Sequence, residues 1–190
     1  MWVVWVVGEP GVGKSSALET LMNPFGTSLL ESPKWTISPP YAFAGHYGGI
    51  EFGGGDTISY TDAARQIHDL SSIRGKLRDE LVHTVFFDGD RLSNETSFRL
   101  VEDASHEVLC VLLTCEASEA ARRRSKRSGA QNQAWVKGRK TKSANFTTKF
   151  EPHQVLTIDT SNSSAEEVGE RIANWCKDWR RRSYTVLDEE

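Results

Sequence analysis

The chain is poor in cysteine and lacks long apolar runs, and both features limit what it can be. Three cysteines occur among 190 residues, at scattered positions and without C-x-x-C spacing. This argues against a disulfide framework or a cysteine-based zinc site, and it fits a reducing cytoplasm. With no apolar run of about 18 residues, we expect no transmembrane helix and no membrane partner. The opening MWVVWVV is too short to span a bilayer and lacks a basic flank, which argues against a signal peptide.

Acidic residues are missing from one stretch, although the net charge of the whole chain is only −3. Residues 120–150 contain ten basic residues and no acidic one, which leaves 13 basic and 26 acidic residues elsewhere. The ten are Arg122, Arg123, Arg124, Lys126, Arg127, Lys137, Arg139, Lys140, Lys142 and Lys149. Positive charge concentrated in this way predicts a surface for a polyanion, and a solvated helix face is the alternative.

A phosphate-binding pattern follows the first apolar run. Residues 8–15 read GEPGVGKS and fit G-x-x-x-x-G-K-[ST] between a β-prone and a helix-prone segment. Such a loop directs backbone N–H groups at the phosphates of ATP, and the helix that follows adds its positive end. The predicted nucleotide-binding residues are Gly8, Gly11, Val12, Gly13, Lys14, Ser15 and Ser16. Lys14 is expected to reach the β- and γ-phosphates and to be catalytic, and Ser15 is expected to ligate Mg²⁺.

A second Mg²⁺ residue is predicted at the end of another apolar run. Asp88 follows VHTVFF, where the acid of a phosphate-loop enzyme holds the metal through water. A turn-forming or helix-capping role is the alternative for this carboxylate. The neighbouring Asp90 and Arg91 could contact either the metal or the substrate.

Strand-like and helix-like segments alternate along the chain, which predicts an α/β domain with a parallel sheet over residues 1–190. The predicted strands are 2–7, 82–87, 108–113 and 155–158, with short extended pieces at 35–37 and 50–52. The predicted helices are 14–22, 61–81, 97–105, 116–127, much of 131–150, and 165–182. Ligands of such sheets bind at the carboxyl ends of the strands, so the phosphate loop, Asp88 and the basic segment are expected to form one site.

The type of phosphate-loop protein follows from what surrounds the loop. No guanine-reading N-K-x-D occurs, which argues against a GTPase switch, and Asp88-Gly89-Asp90 lacks the acid pair of a motor ATPase. EASEAARRRSKR after the third strand is typical of the arginine-rich lid of a small kinase. Arg123 and Arg127, four residues apart on one helix face, are predicted to clamp the transferring phosphoryl group. Arg122 and Arg124 are expected to face outward.

Four stretches in order resemble the superfamily of small nucleoside, nucleotide and gluconate kinases over nearly the whole chain. They are GEPGVGKSS, FFDGDRL, VLCVLLTCEASEAARRRSKR and VLTIDTSNSSAEEVGERI. The resemblance implies an ATP- and Mg²⁺-dependent phosphotransferase with a three-layer P-loop kinase fold, a five-stranded parallel sheet in the order 2-3-1-4-5 and a basic helical lid. It also implies that the turn at residues 158–164 lies by the nucleotide base.

An insertion follows the lid, so that lid and insertion together span about residues 116–150. It reads SGAQNQAWVKGRKTKSANFTTKF and combines an aromatic ring, amides and cations, which suits a nucleic acid strand. The predicted substrate-binding residues are Asn132, Gln133, Trp135, Lys137, Arg139 and Lys142. Trp135 would stack on a base, an amide would bond a base edge, and the cations would hold phosphates. The alternative is a solvated helix with Trp135 in the core.

A narrower resemblance concerns the acceptor. EFGGGDTISYTDA and QNQAWVKGRKTK are similar to phage-type kinases that phosphorylate 5-hydroxymethyluracil within DNA. The resemblance implies that DNA containing a hydroxymethylated pyrimidine is the partner, in the host cytoplasm if a phage encodes the chain. Asp56 is the candidate catalytic base, and capping of a turn is its alternative role. A small-molecule nucleoside or nucleotide kinase, and a nucleotide-gated nucleic-acid-binding ATPase without transfer, are the other functions left open.

Overall fold

A central sheet organises the computed structural model, which describes residues 1–48, 53–59, 61–63, 65–67, 70, 75, 77, 81–104, 106–128 and 132–187. For residues 127–128 and 183–187 it describes the backbone alone. The strands within these residues are β1 (Trp2–Val7), β2 (Ser28–Glu31), β3 (Lys34–Ser38), β4 (Tyr41–Ala44), β5 (Thr84–Asp88), β6 (Glu107–Thr114) and β7 (Val155–Asp159). The predicted extended piece at 50–52 lies outside the described residues.

The strand order in the described part of the sheet is β2-β3-β4-β5-β1-β6-β7. Strands β4, β5, β1, β6 and β7 run parallel, while β2–β3 and β3–β4 pair antiparallel. The described sheet therefore has seven strands instead of the predicted five, because β2 and β3 extend the five parallel strands on one side. Pro33, Pro39 and Pro40 lie in the short turns that join β2, β3 and β4, and such proline punctuation resembles a loop in a sequence.

Helices cover both faces of this sheet. They are α1 (Lys14–Glu19), α2 (Glu95–Asp103), α3 (Ala117–Ser128), α4 (Gln133–Thr147) and α5 (Ala165–Leu187), with short 3₁₀ helices at Gly55–Thr57 and Pro152–Gln154. The described residues between 61 and 77 also have helical backbone, as predicted for 61–81. Helix α1 is three residues shorter than predicted, and none of the described helices has the length and apolar character needed to cross a membrane.

Strand β1 separates two apolar clusters. Val3, Trp5 and Val7 belong to a cluster that includes side chains of α2 and α4, and Val4 and Val6 belong to one that includes side chains of α1 and α5. The indole N–H of Trp5 donates to the carbonyl oxygen of Leu92 at 3.1 Å, so a buried polar atom is satisfied. This layering brings the loops after β1, β5 and β6 to the same edge of the sheet.

His83 connects the sheet to α5 and gives the fold a pH dependence. The Arg180 guanidinium donates to His83 Nε2, and partial burial followed by the Arg180 charge lowers the pKa of His83 to about 4. The unfolded chain, with a histidine pKa of about 6.5, therefore binds more protons below that pH. We expect the free energy of unfolding to fall between about pH 6.5 and 4, by about 1 kcal/mol after discounting for solvent screening.

Urea unfolding at pH 7 and pH 5 checks this expectation by comparing the native chain with His83→Gln. Glutamine keeps an acceptor for Arg180 and has no titrating ring, so the variant is expected to lose less stability on acidification. An equal loss in both proteins would show that His83 is not the responsible group.

Candidate active site

The phosphate loop joins β1 to α1 and is shaped by glycine. Gly8, Gly11 and Gly13 all have positive φ angles, and Gly13 is the N-cap of α1. A Cβ atom on Gly11 would lie 2.6 Å from the carbonyl oxygen of Ala120 in α3, so the loop passes too close to this helix for a side chain. The loop is therefore built from residues without side chains at these positions, which leaves its backbone N–H groups able to face a phosphate.

Lys14, Ser15 and Asp88 meet at the end of this loop. Lys14 Nζ donates to the carbonyl oxygens of Gly8 at 3.0 Å and Glu9 at 3.2 Å. Ser15 Oγ donates to Asp88 Oδ2 at 2.5 Å, and Asp88 is the buried last residue of β5. This hydrogen bond brings together the two residues predicted to hold Mg²⁺, although they are 73 positions apart in the chain.

The donor set at Asp88 fits a hard cation. A hydroxyl and a carboxylate oxygen are ligands that Mg²⁺ accepts, with phosphate oxygens and water completing its shell. Within the described residues, no group of three or more His, Cys, Asp and Glu side chains could hold a metal ion, so an ion here would depend on such additional oxygens. The residues present therefore fit a Mg²⁺ that arrives with a nucleotide.

Tyr47 is a further neighbour of Asp88 that the sequence reasoning missed as a site residue. Its hydroxyl donates to Asp88 Oδ2 at 3.5 Å. Burial, and then the negative charge of Asp88, raise the pKa of Tyr47 well above its usual value, so the hydroxyl stays protonated. No local sequence signal identifies this contact, because Tyr47 is 41 positions from Asp88.

Asp56 lies beside Asp88 in space. A methyl group on the preceding residue, Gly55, would overlap the backbone carbonyl oxygen of Asp88, so the two chain segments touch. Arg91 donates to the carbonyl oxygens of Asp56, at 2.9 Å, and Ile58, which ties the turn to the segment after β5. Gly55, just before Asp56, thus allows a close approach to the backbone of Asp88.

One cavity of about 290 Å³ connects these groups. Its lining residues come from the phosphate loop, the turn at Asp56, the end of β5, and helices α3 and α4. They are Gly8, Pro10, Gly11, Gly13, Lys14, Ser15, Ser16, Asp56, Asp88, Gly89, Asp90, Arg123, Arg124, Trp135 and Arg139. The cavity therefore brings together most of the nucleotide-side candidates and part of the acceptor-side candidates. Val12 is buried and does not line it.

Arg123 is fixed by two elements. Its guanidinium donates to the carbonyl oxygen of Thr160 at 2.8 Å, while its Nε donates to Glu119 at 2.7 Å. Thr160 Oγ1 in turn donates to the carbonyl oxygen of Val12 at 2.9 Å, which links the turn after β7 to the phosphate loop. Hydrogen bonds from Arg122 and Arg123 lower the pKa of Glu119 to about 2, so this acid stays ionised.

Of the other arginines of α3, Arg124 has a different orientation from the one predicted. Arg122 is exposed, as expected, and pairs with Glu119. Arg124 does not face outward: it lines the cavity and donates to the carbonyl oxygen of Pro10 at 2.8 Å. The reason is that the loop at Gly11 touches α3, which brings Arg124 against it. The backbone of Arg127 lies in α3, and its side chain lies outside the described residues, so its clamping role stays a prediction.

Trp135 and Arg139 of α4 line the cavity. Trp135 is 43% exposed, so the alternative of a core tryptophan is wrong. The Arg139 guanidinium lies over the indole ring, 5.2 Å from its centroid, and pairs with Asp90. Lys142 reaches the same wall by donating to the carbonyl oxygen of Asp90 at 2.7 Å.

Four of the six predicted substrate-binding residues are not among those that line the cavity: Asn132, Gln133, Lys137 and Lys142. Asn132 caps α4, because its side-chain oxygen accepts from the backbone N–H groups of Ala134 and Trp135. Gln133 and Lys137 are exposed on the first turns of α4. Their roles in binding a strand stay predictions.

The basic segment is partly neutralised within the protein. Among the described side chains, seven of its ten cations form ion pairs with carboxylates that precede the segment in sequence. These are Arg122 and Arg123 with Glu119, Arg124 and Lys140 with Glu9, Arg139 and Lys142 with Asp90, and Lys149 with Glu95. A count of charges along the chain therefore overstates the positive surface open to a polyanion.

Comparison with known proteins identifies the fold and the family of this chain. The chain is similar to an unliganded sugar kinase from Janibacter sp. HTCC2649, at 16% identity and a TM-score of 0.52, over 93% of this chain and 95% of that one. It also resembles a gluconokinase from Sinorhizobium meliloti 1021, at 15% identity and a TM-score of 0.49, over 97% and 96%.

At 16% identity, the likeness to the sugar kinase shows an α/β kinase-like fold and no more than the fold. No curated protein matches the chain. A family model described as P-loop Nucleotide Kinase3 matches residues 1–160. This match covers most of the 190 residues, from β1 and the phosphate loop through β7. The chain therefore belongs to the P-loop Nucleotide Kinase3 family.

Proposed function

We propose that the protein transfers the γ-phosphoryl group of ATP to the hydroxymethyl group of a pyrimidine base in DNA, with 5-hydroxymethyluracil as the expected base. The observation that carries this proposal is the composition of one cavity: the phosphate loop, Asp88 and Asp56 share it with Trp135 and Arg139. A phosphate-binding loop that shares a cavity with an aromatic and a cationic side chain suits a nucleoside triphosphate with a nucleotide acceptor.

On the donor side, hydrogen bonds hold Lys14, Ser15 and Arg123 at the phosphate loop. Lys14 now bonds two neutral carbonyl oxygens, and a phosphate would give it a charged acceptor instead. Ser15 and Asp88 would hold Mg²⁺, which when bound draws negative charge from the phosphate oxygens. Arg123, held by Thr160, would add positive charge near Gly13 without a cost in side-chain ordering.

On the acceptor side, Asp56 is the proposed base. It is exposed, lines the cavity and follows the glycine that touches Asp88, so its carboxylate belongs to the same wall as the metal site. The acceptor hydroxyl would pass its proton to Asp56 as its oxygen bonds to the γ-phosphorus. The bond from that phosphorus to the β,γ-bridging oxygen would break, leaving ADP.

A small-molecule nucleoside or nucleotide kinase is the second candidate. The internal ion pairs of the basic segment favour it, because they reduce the charge that α3 and α4 offer to a DNA backbone. A cavity of about 290 Å³ also suits a small acceptor beside the triphosphate.

Mass spectrometry of the products separates these functions. The protein is incubated with ATP, Mg²⁺ and one of three acceptors: an oligonucleotide containing 5-hydroxymethyluracil, the free nucleoside, or its 5′-monophosphate. A thymine oligonucleotide, which lacks the acceptor hydroxyl, is the control. Phosphorylated base in the digested oligonucleotide is expected. Transfer to the free compounds alone would favour the second candidate, and ATP hydrolysis without a phosphorylated product would favour a nucleotide-gated binding protein.

Replacement of Trp135 tests the aromatic wall. Stacking on a base contributes about 1–3 kcal/mol, so Trp135→Ala is expected to raise the acceptor KM roughly tenfold or more with little change in the KM of ATP. Trp135→Phe keeps a ring and is the matched control. Steady-state kinetics with each substrate varied in turn give both constants. A rise in the KM of ATP instead would place Trp135 against the donor nucleotide and contradict the assignment.

A further inference from the structure

Two cations of α4 converge on one carboxylate at the wall of the cavity. The Arg139 guanidinium pairs with Asp90 Oδ2, and Lys142 Nζ lies 3.6 Å from the same oxygen. Lys142 Nζ also donates to the backbone carbonyl oxygen of Asp90 at 2.7 Å. All three side chains are more than half buried, with exposed fractions of 24%, 38% and 24% for Arg139, Lys142 and Asp90.

Two positive charges and one negative charge give this cluster a net positive charge, which favours binding of an anion. Burial, and then the positive charge of Arg139, lower the pKa of Lys142, which shows that the two cations oppose each other when partly desolvated. An anion between them offsets that repulsion, and Asp90 supplies one from within the chain. A planar guanidinium beside an ammonium group suits a phosphate ester, whose oxygens accept from both.

The surroundings of the cluster indicate which molecule would bring the phosphate. Asp90 and Arg139 line the same cavity as Asp56, and the Trp135 ring lies under the Arg139 guanidinium. An aromatic face next to two cations matches a nucleotide, in which a base and a phosphate are joined through one sugar. The cluster contains no residue of the phosphate loop, so we assign it to the acceptor.

We infer that Arg139 and Lys142 form a subsite for a phosphate ester of the acceptor, and that Asp90 occupies this subsite until the acceptor displaces it. The inference rests on the proposed function, since it assigns the subsite to the acceptor of that reaction. The phosphate ester has two possible sources: the phosphodiester of a DNA strand or the phosphate of a mononucleotide. An acceptor without a phosphate then has no group that can displace Asp90 from Arg139 and Lys142.

Removing the charge of Asp90 gives the distinctive prediction. Asp90→Asn keeps the backbone carbonyl that Lys142 contacts and has nearly the same volume. Because the internal competitor loses its charge, phosphate-bearing acceptors are expected to bind about tenfold tighter. Arg139→Gln and Lys142→Gln are each expected to weaken that binding about tenfold. Lys126→Gln removes one positive charge from the same basic segment, at an exposed position of α3 outside the cavity lining, and is the matched control for general electrostatics.

The binding experiment uses a probe that cannot be phosphorylated. Fluorescence anisotropy follows a labelled thymine oligonucleotide in competition with unlabelled oligonucleotide, thymidine 5′-monophosphate or thymidine, for the native chain and each variant. Tighter binding in Asp90→Asn of the oligonucleotide alone identifies the phosphodiester, and tighter binding of the monophosphate as well identifies any phosphate ester. Thymidine, which has no phosphate, is expected to show no gain. Thermal unfolding of each variant establishes that it is folded.

Combining substitutions makes the test decisive. If Asp90 competes for the subsite, its removal gains nothing once Arg139 is gone, so the double variant Asp90→Asn/Arg139→Gln is expected to bind like Arg139→Gln. The inference is overturned if Asp90→Asn does not tighten binding, if thymidine gains equally, or if Arg139→Gln loses no more than Lys126→Gln. The expected binding pattern without transfer to hydroxymethylated DNA would overturn the proposed function and leave the subsite standing.

Discussion

Replacing Lys14 with alanine is expected to lower the rate of phosphoryl transfer by about 10²- to 10³-fold, the usual loss for a preorganised donor to developing charge. Lys14 is the cation of the phosphate loop, and its Nζ donates to the carbonyl oxygens of Gly8 and Glu9 at the start of the loop. Alanine removes this charge together with both hydrogen bonds. Single-turnover transfer from labelled ATP measures the effect without interference from product release.

The matched control for this variant is Lys126→Ala on α3. Lys126 is exposed and is not among the residues that line the cavity. The control variant therefore removes the same type of side chain at a position outside the site. Transfer in the control is expected to stay within about twofold of the native chain, as is usual for surface substitutions. If Lys14→Ala retained native rates, the phosphate loop would not be the donor site, and the proposed reaction would fail with it.

Replacing Gly55 with alanine is expected to damage both stability and transfer. The added methyl group would overlap the backbone carbonyl oxygen of Asp88, so either the turn at Asp56 or the end of β5 must move. Overpacking of this kind costs about 1–3 kcal/mol of unfolding free energy. Movement of either segment separates Asp56 from Asp88, so we expect transfer to fall about tenfold or more.

Gly75→Ala is the matched control, since a Cβ atom there meets nothing within 4 Å and its backbone is helical. Alanine at such a position is expected to stabilise the chain by about 0.4–1 kcal/mol. Urea unfolding compares the two variants, and transfer is assayed where both are folded. Native stability and activity in Gly55→Ala would show that the two segments are not in the tight contact on which the proposed role of Asp56 depends.

The donor side of the site could be predicted from the sequence because its information is local. Eight consecutive residues specify the loop, and glycine, lysine and serine at fixed spacing are enough to identify it. Strands β1, β5, β6 and β7 were also predicted within two residues at each end, since buried parallel strands form continuous apolar runs. Strands β2 and β4 were missed, because β2 carries mostly exposed residues and β4 has only four residues, so neither forms a long apolar run.

The acceptor side could be predicted only in part. The alternation of charge and aromatic residues indicated α4, and the structure brings Trp135 and Arg139 to the cavity. Asn132 was predicted as a base reader, yet its position before a helix is also that of an N-cap, and the cap is what its side chain forms. Residue type alone cannot separate these roles, because the same oxygen serves either.

By itself, the sequence determined the phosphate loop, the buried parallel strands and the order of the segments that resemble a small kinase. These depend on spacing and periodicity over a few residues, which backbone geometry converts directly into local structure. Only the tertiary structure decided how the charges are distributed. It brought Glu9 and Asp90 against the cations of α4 and placed Trp135 beside the phosphate loop. The interaction between charges depends on their separation in space and on burial, and neither can be read from their order in the chain.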